Sequence, residues 1–145
     1  MIITLCGSTN FYDEMDNIQS KLEEMGHIVN HPKHTSAKFD PTLEGLHTNP
    51  KHKDDMSVNA RLIKNKLITS HMLAIKNSDA VIAVNLEKNG QENYIGGNTF
   101  LEMGFAFAFD KKIFIWKELP MTSTYIDEIT GMLPTVIRED CTLLV

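Results

Sequence analysis

The chain has 145 residues, 42% of them hydrophobic, which is enough for one core and too few for two ordinary domains. With 14 basic and 19 acidic residues its formal net charge is -5, which argues against a dedicated binder of a phosphate backbone or an anionic membrane and leaves a small charged ligand open. The two cysteines, Cys6 and Cys141, make neither a zinc ligand set nor a disulfide framework, and no apolar run approaches the roughly 20 residues that span a bilayer. The first residues, Met1-Ile2-Ile3-Thr4-Leu5, lack the basic leader of an export signal. A cytoplasmic protein is expected, with neither a membrane nor a nucleic-acid polymer as partner.

Residues 2–6 form a short apolar run ending in Gly7-Ser8-Thr9-Asn10, the punctuation between a buried strand and a helix. Phe11, Met15, Ile18, Leu22 and Met25 then recur at spacings of three and four, with Asp13 and Glu14 in the first turn and Gly26 after the last, which predicts a helix. Residues 27–31 resemble a strand that Pro32 stops. Residues 33–59 are polar, carry Pro41, Gly45 and Pro50, and show no sustained period; they read as one long loop of the kind that serves as a lid.

Good helix formers return over residues 60–78, with Ile68, Met72 and Ile75 on one stripe, and lead into Asp79-Ala80-Val81-Ile82-Ala83-Val84-Asn85, the continuous apolar run of a parallel strand covered on both faces. A second polar loop, residues 86–97, precedes a helix over residues 99–110 and a strand over residues 112–116. Residues 122–132 predict a short helix, and residues 135–137 and 142–145 carry weaker strand signals. The alternation implies one Rossmann-like (flavodoxin-like) α/β domain, with a mostly parallel sheet of about five strands flanked by helices. Ligands in such a fold sit beyond the carboxyl ends of the strands, where the Cys6-Gly7-Ser8-Thr9 loop meets the glycine loop at Gly96-Gly97.

From Phe100 to Phe109 every residue is apolar or glycine except Glu102, so the helix reads as buried on all sides. A lone carboxylate there is desolvated and suited to catalysis. Alternatively Thr99-Phe100-Leu101-Glu102 is a capping box, with Glu102 reaching back to the Thr99 amide. The turn Gly7-Ser8-Thr9-Asn10 offers free amides where a helix dipole favours an anion, although Ser8, Thr9 or Asn10 equally serves as an N-cap. Neither G-x-G-x-x-G nor G-x-x-x-x-G-K-[ST] occurs, which leaves at most one phosphate and no pyrophosphate cofactor. Of six histidines, His31, His34, His47 and His52 match no zinc spacing, and Pro32 rules out a regular helix there, so neither a metal nor a cofactor is expected. His71 lies on the second long helix and is able to point to the sheet edge. Asp79 opens a strand, where a helix-to-strand turn residue is the ordinary role. Tyr12 stands in the first turn of its helix, close to the expected ligand.

Taken together, Leu5-Cys6-Gly7-Ser8, Ser78-Asp79-Ala80-Val81-Ile82-Ala83, Gly97-Asn98-Thr99-Phe100-Leu101-Glu102-Met103-Gly104-Phe105-Ala106 and Lys112-Ile113 resemble the nucleoside 2-deoxyribosyltransferase family, which includes the 2'-deoxynucleoside 5'-monophosphate N-glycosidases. The resemblance excludes residues 33–59 and the C-terminal segment. It implies that Glu102 is the nucleophile that attacks the anomeric carbon and forms a covalent glycosyl-enzyme. It further implies that Gly7 and Ser8 line the sugar or its 5' group, and that Asp79 lies near the sugar or the base edge; Cys6, in the same loop, is expected as a further substrate contact. Tyr12, His71, Gly97 and Asn98 are expected as additional substrate contacts, and a homodimer or larger homo-oligomer as the assembly. Many members carry an aspartate just before the glycines to assist the departing base, whereas this chain reads Tyr94-Ile95-Gly96-Gly97-Asn98.

Two other readings compete. Gly96-Gly97-Asn98-Thr99-Phe100-Leu101-Glu102 resembles the G-G-x-G-T-x-x-E motif of the lysine-decarboxylase-like phosphoribohydrolases, with one residue missing between the glycines and Thr99. A nucleotide-binding sensor or sequestering protein that kept the pocket without the chemistry is the non-enzymatic alternative, and the absent acid near Gly96 keeps it in contention.

Overall fold

Strand β1 (Ile2–Cys6) sends successive side chains to opposite faces of the sheet, and this alternation organises the core. In the computed structural model, which describes residues 1–39, 41–43 and 58–145, Ile3 and Leu5 enter one apolar layer while Cys6 enters the other. The first layer is closed by α1 (Tyr12–Glu24) through Met15, Ile18 and Leu22, and by the C-terminal segment through Ile137, Cys141 and Leu144. The second is closed by α3 (Val58–Lys76), α4 (Gly97–Ala108) and α5 (Ile126–Gly131), which contribute Ile75, Met103, Ala106 and Ile129.

With β2 (Ile28–Asn30), β3 (Ala80–Ala83), β4 (Lys112–Ile115) and β5 (Thr135–Val136), the sheet has the order β2-β1-β3-β4-β5 and every pairing is parallel. All four residues of β3 are buried, as its unbroken apolar run predicts for a central strand covered on both faces. Cys6 stands beside Ala83 and Ala83 beside Ile115, so the carboxyl ends of β1, β3 and β4 share one edge. The chain leaves β1 towards β2 and leaves β3 towards β4, which opens the crevice of a flavodoxin-like sheet between β1 and β3.

Several sequence expectations shift. Pro32 ends β2 as predicted but also opens α2 (Pro32–Phe39), so His34 is helical after all. Proline suits the first helical position, where no amide hydrogen is needed, and His31 supplies the cap by accepting the Lys33 amide hydrogen at Nδ1, 3.0 Å away. A 3-10 turn follows at Pro41–Leu43. The expected loop of residues 33–59 is therefore helical where it is described, and the lid reading falls on residues outside those described. Residues 142–145 form no strand; a 3-10 turn spans Cys141–Leu143, capped by Asp140. Met25, placed on the buried stripe of α1, is 45% exposed because the helix stops at Glu24 and Gly26 turns the chain at φ +85.

Candidate active site

The carboxyl end of β1 delivers Cys6 to the face covered by α3 and α4, and Gly7 lets the chain turn there without a side chain. A Cβ on Gly7 would collide with the Cε of Met15 and stand 3.0 Å from the Val84 carbonyl oxygen. Glycine thus allows the close approach to α1 and to the end of β3.

On α3, His71 is buried with Ser70, Ala74 and Ile75 on the side that meets the sheet and α4. Its Nε2 lies 3.7 Å from the Cys6 Sγ and 3.5 Å from Oε1 of Glu102. Glu102 itself stands in the second turn of α4, and the capping box does not form. The helix begins at Gly97 with Gly96 as an extended N-cap that makes no side-chain bond, so Thr99 is already the third helical residue. With the helix already under way at Gly97, Glu102 is not the third residue after a Thr99 cap, and its carboxyl group lies instead against His71. Its side chain is 18% exposed, and Oε2 is buried without a hydrogen-bond partner among the described residues.

Burial pushes the Glu102 carboxyl up to about 8, against the opposing influence of the Cys6 hydrogen bond and the positive charge of Lys64. Burial likewise holds the Cys6 thiol well above the ordinary cysteine range, and the neighbouring carboxylate reinforces it. Tyr12 is raised for the same two reasons, burial first and the charge of Glu102 second. Lys64, seven residues before His71 and hence on the same stripe of α3, is pulled down by desolvation and supported by Glu102. Sequence reading missed Lys64, although that seven-residue spacing was its signal.

A second group forms around the β1 loop. Ser8 caps the 3-10 turn Thr9–Phe11 by accepting the Asn10 amide hydrogen at 3.3 Å, and its hydroxyl also accepts from Lys88 Nζ at 3.1 Å. Lys88 lies 5.0 Å from the centroid of the Tyr94 ring. It is brought there by the loop after β3, and nothing in its local sequence marks it. Gly97 and Asn98 are exposed in the first turn of α4, where the leading amides lack helical partners.

Asp79 does not join these residues. Its carboxylate accepts the Ile2 amide hydrogen at 2.7 Å, and its own amide donates to the Ile2 carbonyl at 2.8 Å. It therefore sits at the opposite edge of the sheet, about 13 Å away along a strand rising roughly 3.3 Å per residue, in the turn role that its position allowed. His31 is tied to Lys33, to the Tyr12 carbonyl and to Asp16, and His34 stands beside it with ring centroids 5.8 Å apart. His47 and His52 lie outside the described residues.

Two surface clefts stand out; the one of about 360 Å³ lies on the α1 face between Glu14, Lys21, Trp116 and Glu139. It shares no residue with the Cys6–His71–Glu102 cluster. The other, about 220 Å³, runs along residues 91–97 and 122–125 beside the start of α4. It is the one that adjoins the candidate site.

No protein-family model matches the sequence, and no curated protein matches it. Among solved structures, the chain is similar to a CMP N-glycosidase, BcmB, of Clostridium botulinum, at 18% identity and a TM-score of 0.50 over 94% of this chain and 85% of that one. It is also similar to a 2-desoxiribosyltransferase from Leishmania mexicana, at 21% identity and a TM-score of 0.47 over 86% of this chain and 70% of that one. At these identities the likeness concerns the fold, and the fold shared with the first is the flavodoxin-like arrangement that the sequence resemblance implies.

Proposed function

We propose that the protein cleaves or transfers at the N-glycosidic bond of a (deoxy)nucleoside or nucleoside 5'-monophosphate, with Glu102 as the nucleophile. The observation that carries this reading is a single carboxyl group at the β1/β3 crevice with one oxygen near His71 and the other unpartnered among the described residues. An oxygen without a competing hydrogen bond keeps its lone pairs for an electrophilic carbon. The carboxylate forms a bond to the anomeric carbon as the bond to the base nitrogen breaks, and the electron pair leaves with the base. Water, or a second base, then attacks the same carbon and restores Glu102.

The acid that many family members place before the glycines is absent. The free amides at the start of α4 offer a substitute, since donors at a helix N-terminus stabilise the negative charge that develops on the departing base. Lys88 beside Ser8 supports a 5'-monophosphate over a free nucleoside, because an ammonium next to an anion-accepting turn matches that group, and the CMP N-glycosidase of the same fold is named for such a substrate. A homodimer is supported by Leu62 on α3 and Leu101 and Phe107 on α4, which are 57%, 42% and 59% exposed beside the site.

The test is a panel of ribo- and deoxyribonucleosides and their 5'-monophosphates, with and without an acceptor base, followed by chromatography of the released base. Glu102→Gln is expected to lower turnover at least about 1,000-fold while retaining ligand binding, and quenched wild-type reactions should carry one sugar mass on the protein. Tight binding of a panel member with no turnover in the wild type would replace this reading with the sensor.

A further inference from the structure

The same three side chains offer a thiol, an imidazole and a carboxylate whose ligand atoms all lie within 4.8 Å of one another. We propose that Cys6 Sγ, His71 Nε2 and a carboxylate oxygen of Glu102 form a binding site for a borderline-soft divalent cation, with the chemistry of Zn²⁺.

The distances fit an ion at the centre of the cluster. Bonds of about 2.3 Å to sulfur and about 2.0–2.1 Å to nitrogen or oxygen, at tetrahedral angles, place sulfur and nitrogen about 3.6 Å apart and nitrogen and oxygen about 3.3–3.4 Å apart. The observed sulfur–nitrogen and nitrogen–oxygen separations of 3.7 Å and 3.5 Å match these to within a few tenths of an ångström, and the sulfur–oxygen pair lies within 4.8 Å. The donors are supplied by three separate elements, β1, α3 and α4, which fixes their mutual positions through the core rather than through a flexible loop.

Electrostatics agree with the geometry. A buried carboxylate alone is unfavourable, and so is a buried thiolate. A divalent cation with one thiolate and one carboxylate makes a neutral unit, so metal binding removes the penalty that each anion carries separately. On binding, the thiol proton and, where present, the carboxyl proton pass to solvent, and His71 coordinates as neutral imidazole with its proton on Nδ1. A mixed sulfur, nitrogen and oxygen set favours Zn²⁺ over Mg²⁺ or Ca²⁺, which prefer oxygen alone. Three protein ligands leave a fourth position for water or a ligand.

Occupancy ties up the Glu102 carboxylate and neutralises the charge that makes it nucleophilic, so the metal acts as a reversible inhibitor. This consequence rests on the nucleophile reading of Glu102; the site itself does not.

Metal-free full-length protein titrated with Co²⁺ tests the site without reference to activity. One ion per chain should produce the visible absorption of tetrahedral Co²⁺ and a near-ultraviolet thiolate-to-cobalt band, both erased by one equivalent of Zn²⁺. Cys6→Ser should remove the thiolate band, and both it and His71→Asn should weaken Zn²⁺ binding by more than the ~10–100-fold that loss of an outer-shell partner costs. His34→Asn, on α2, should change neither. No thiolate band in the wild type, or Zn²⁺ affinity unchanged in the two ligand variants, overturns the proposal. If Cys6→Ser does not fold, His71→Asn and Glu102→Gln decide the question by the same affinity measurement. Zn²⁺ inhibition of base release that EDTA reverses supports the inhibitory role, and Zn²⁺ bound at this site without inhibition overturns that role alone. A cobalt signal in a protein that releases no base upholds the metal site and removes the glycosidase reading.

Discussion

In the proposed function, Glu102 concentrates the chemistry because it is a carboxyl group held where water solvates it poorly. A nucleophilic carboxyl must be ionised, and burial holds this one at about 8. In chelator-treated protein kcat/KM is therefore expected to rise about tenfold per pH unit below 8 and to level off above it, and a pH profile flat between 6 and 8 would remove Glu102 as the titrating nucleophile. The same shift links to stability. The folded carboxyl keeps its proton up to about 8 while the unfolded one loses it near 4.5, so the folded state binds more protons in that interval and stability falls as pH rises through it. Glu102→Gln has no such proton. Its melting temperature should match the wild type below about pH 4.5 and exceed it increasingly towards pH 8, by on the order of a few kcal/mol in free energy. A site that is destabilising in its active, charged form is the expected trade between activity and stability. The sequence made Glu102 conspicuous as the one polar residue between Phe100 and Phe109, but it did not reveal that His71 and Cys6 would be its neighbours.

At the scale of elements, the site depends on where two segments begin. In α4 the N-cap is Gly96 and not the expected start at Thr99, because a glycine in extended conformation begins the helix without a side-chain cap. The capping box failed for that reason, and the carboxyl group lies instead against His71. In α2, Pro32 both terminates a strand and starts a helix, a dual use that the sequence reading treated as an interruption only. The β1 turn depends on Gly7, which is packed against Met15 and the Val84 carbonyl. Gly7→Ala should shift the denaturation midpoint downwards by the equivalent of about 1–3 kcal/mol, since Met15 is fully buried and its displacement overpacks the core. An unchanged midpoint would show that the turn relaxes freely. Local signals for α1 were complete, from the acidic first turn to the glycine after its last residue, and that helix was legible throughout except for Met25.

For the whole molecule, the alternation of apolar strands and amphipathic helices implied a doubly wound sheet, and the order β2-β1-β3-β4-β5 is that arrangement. The exposed apolar residues of α3 and α4 were not foreseen, because a helix with apolar residues on all sides was read as wholly buried within one chain. Leu101 and Phe107 instead face outward, which suits a second copy. Phe107→Asp is expected to convert a dimer into a monomer by sedimentation, and a wild type that sediments as a monomer at micromolar concentration would leave this face without that role. Periodicity and punctuation along the sequence were by themselves sufficient to determine the fold class and the prominence of Glu102, since these follow from hydrophobic spacing and turn chemistry within short windows. Only the tertiary structure decided that Asp79 lies at the far edge, that Lys88 reaches Ser8 across 80 residues, and that Cys6, His71 and Glu102 meet. Such contacts depend on strand register and on where each helix starts, and a displacement of one or two residues in either turns a side chain from the site to the opposite face.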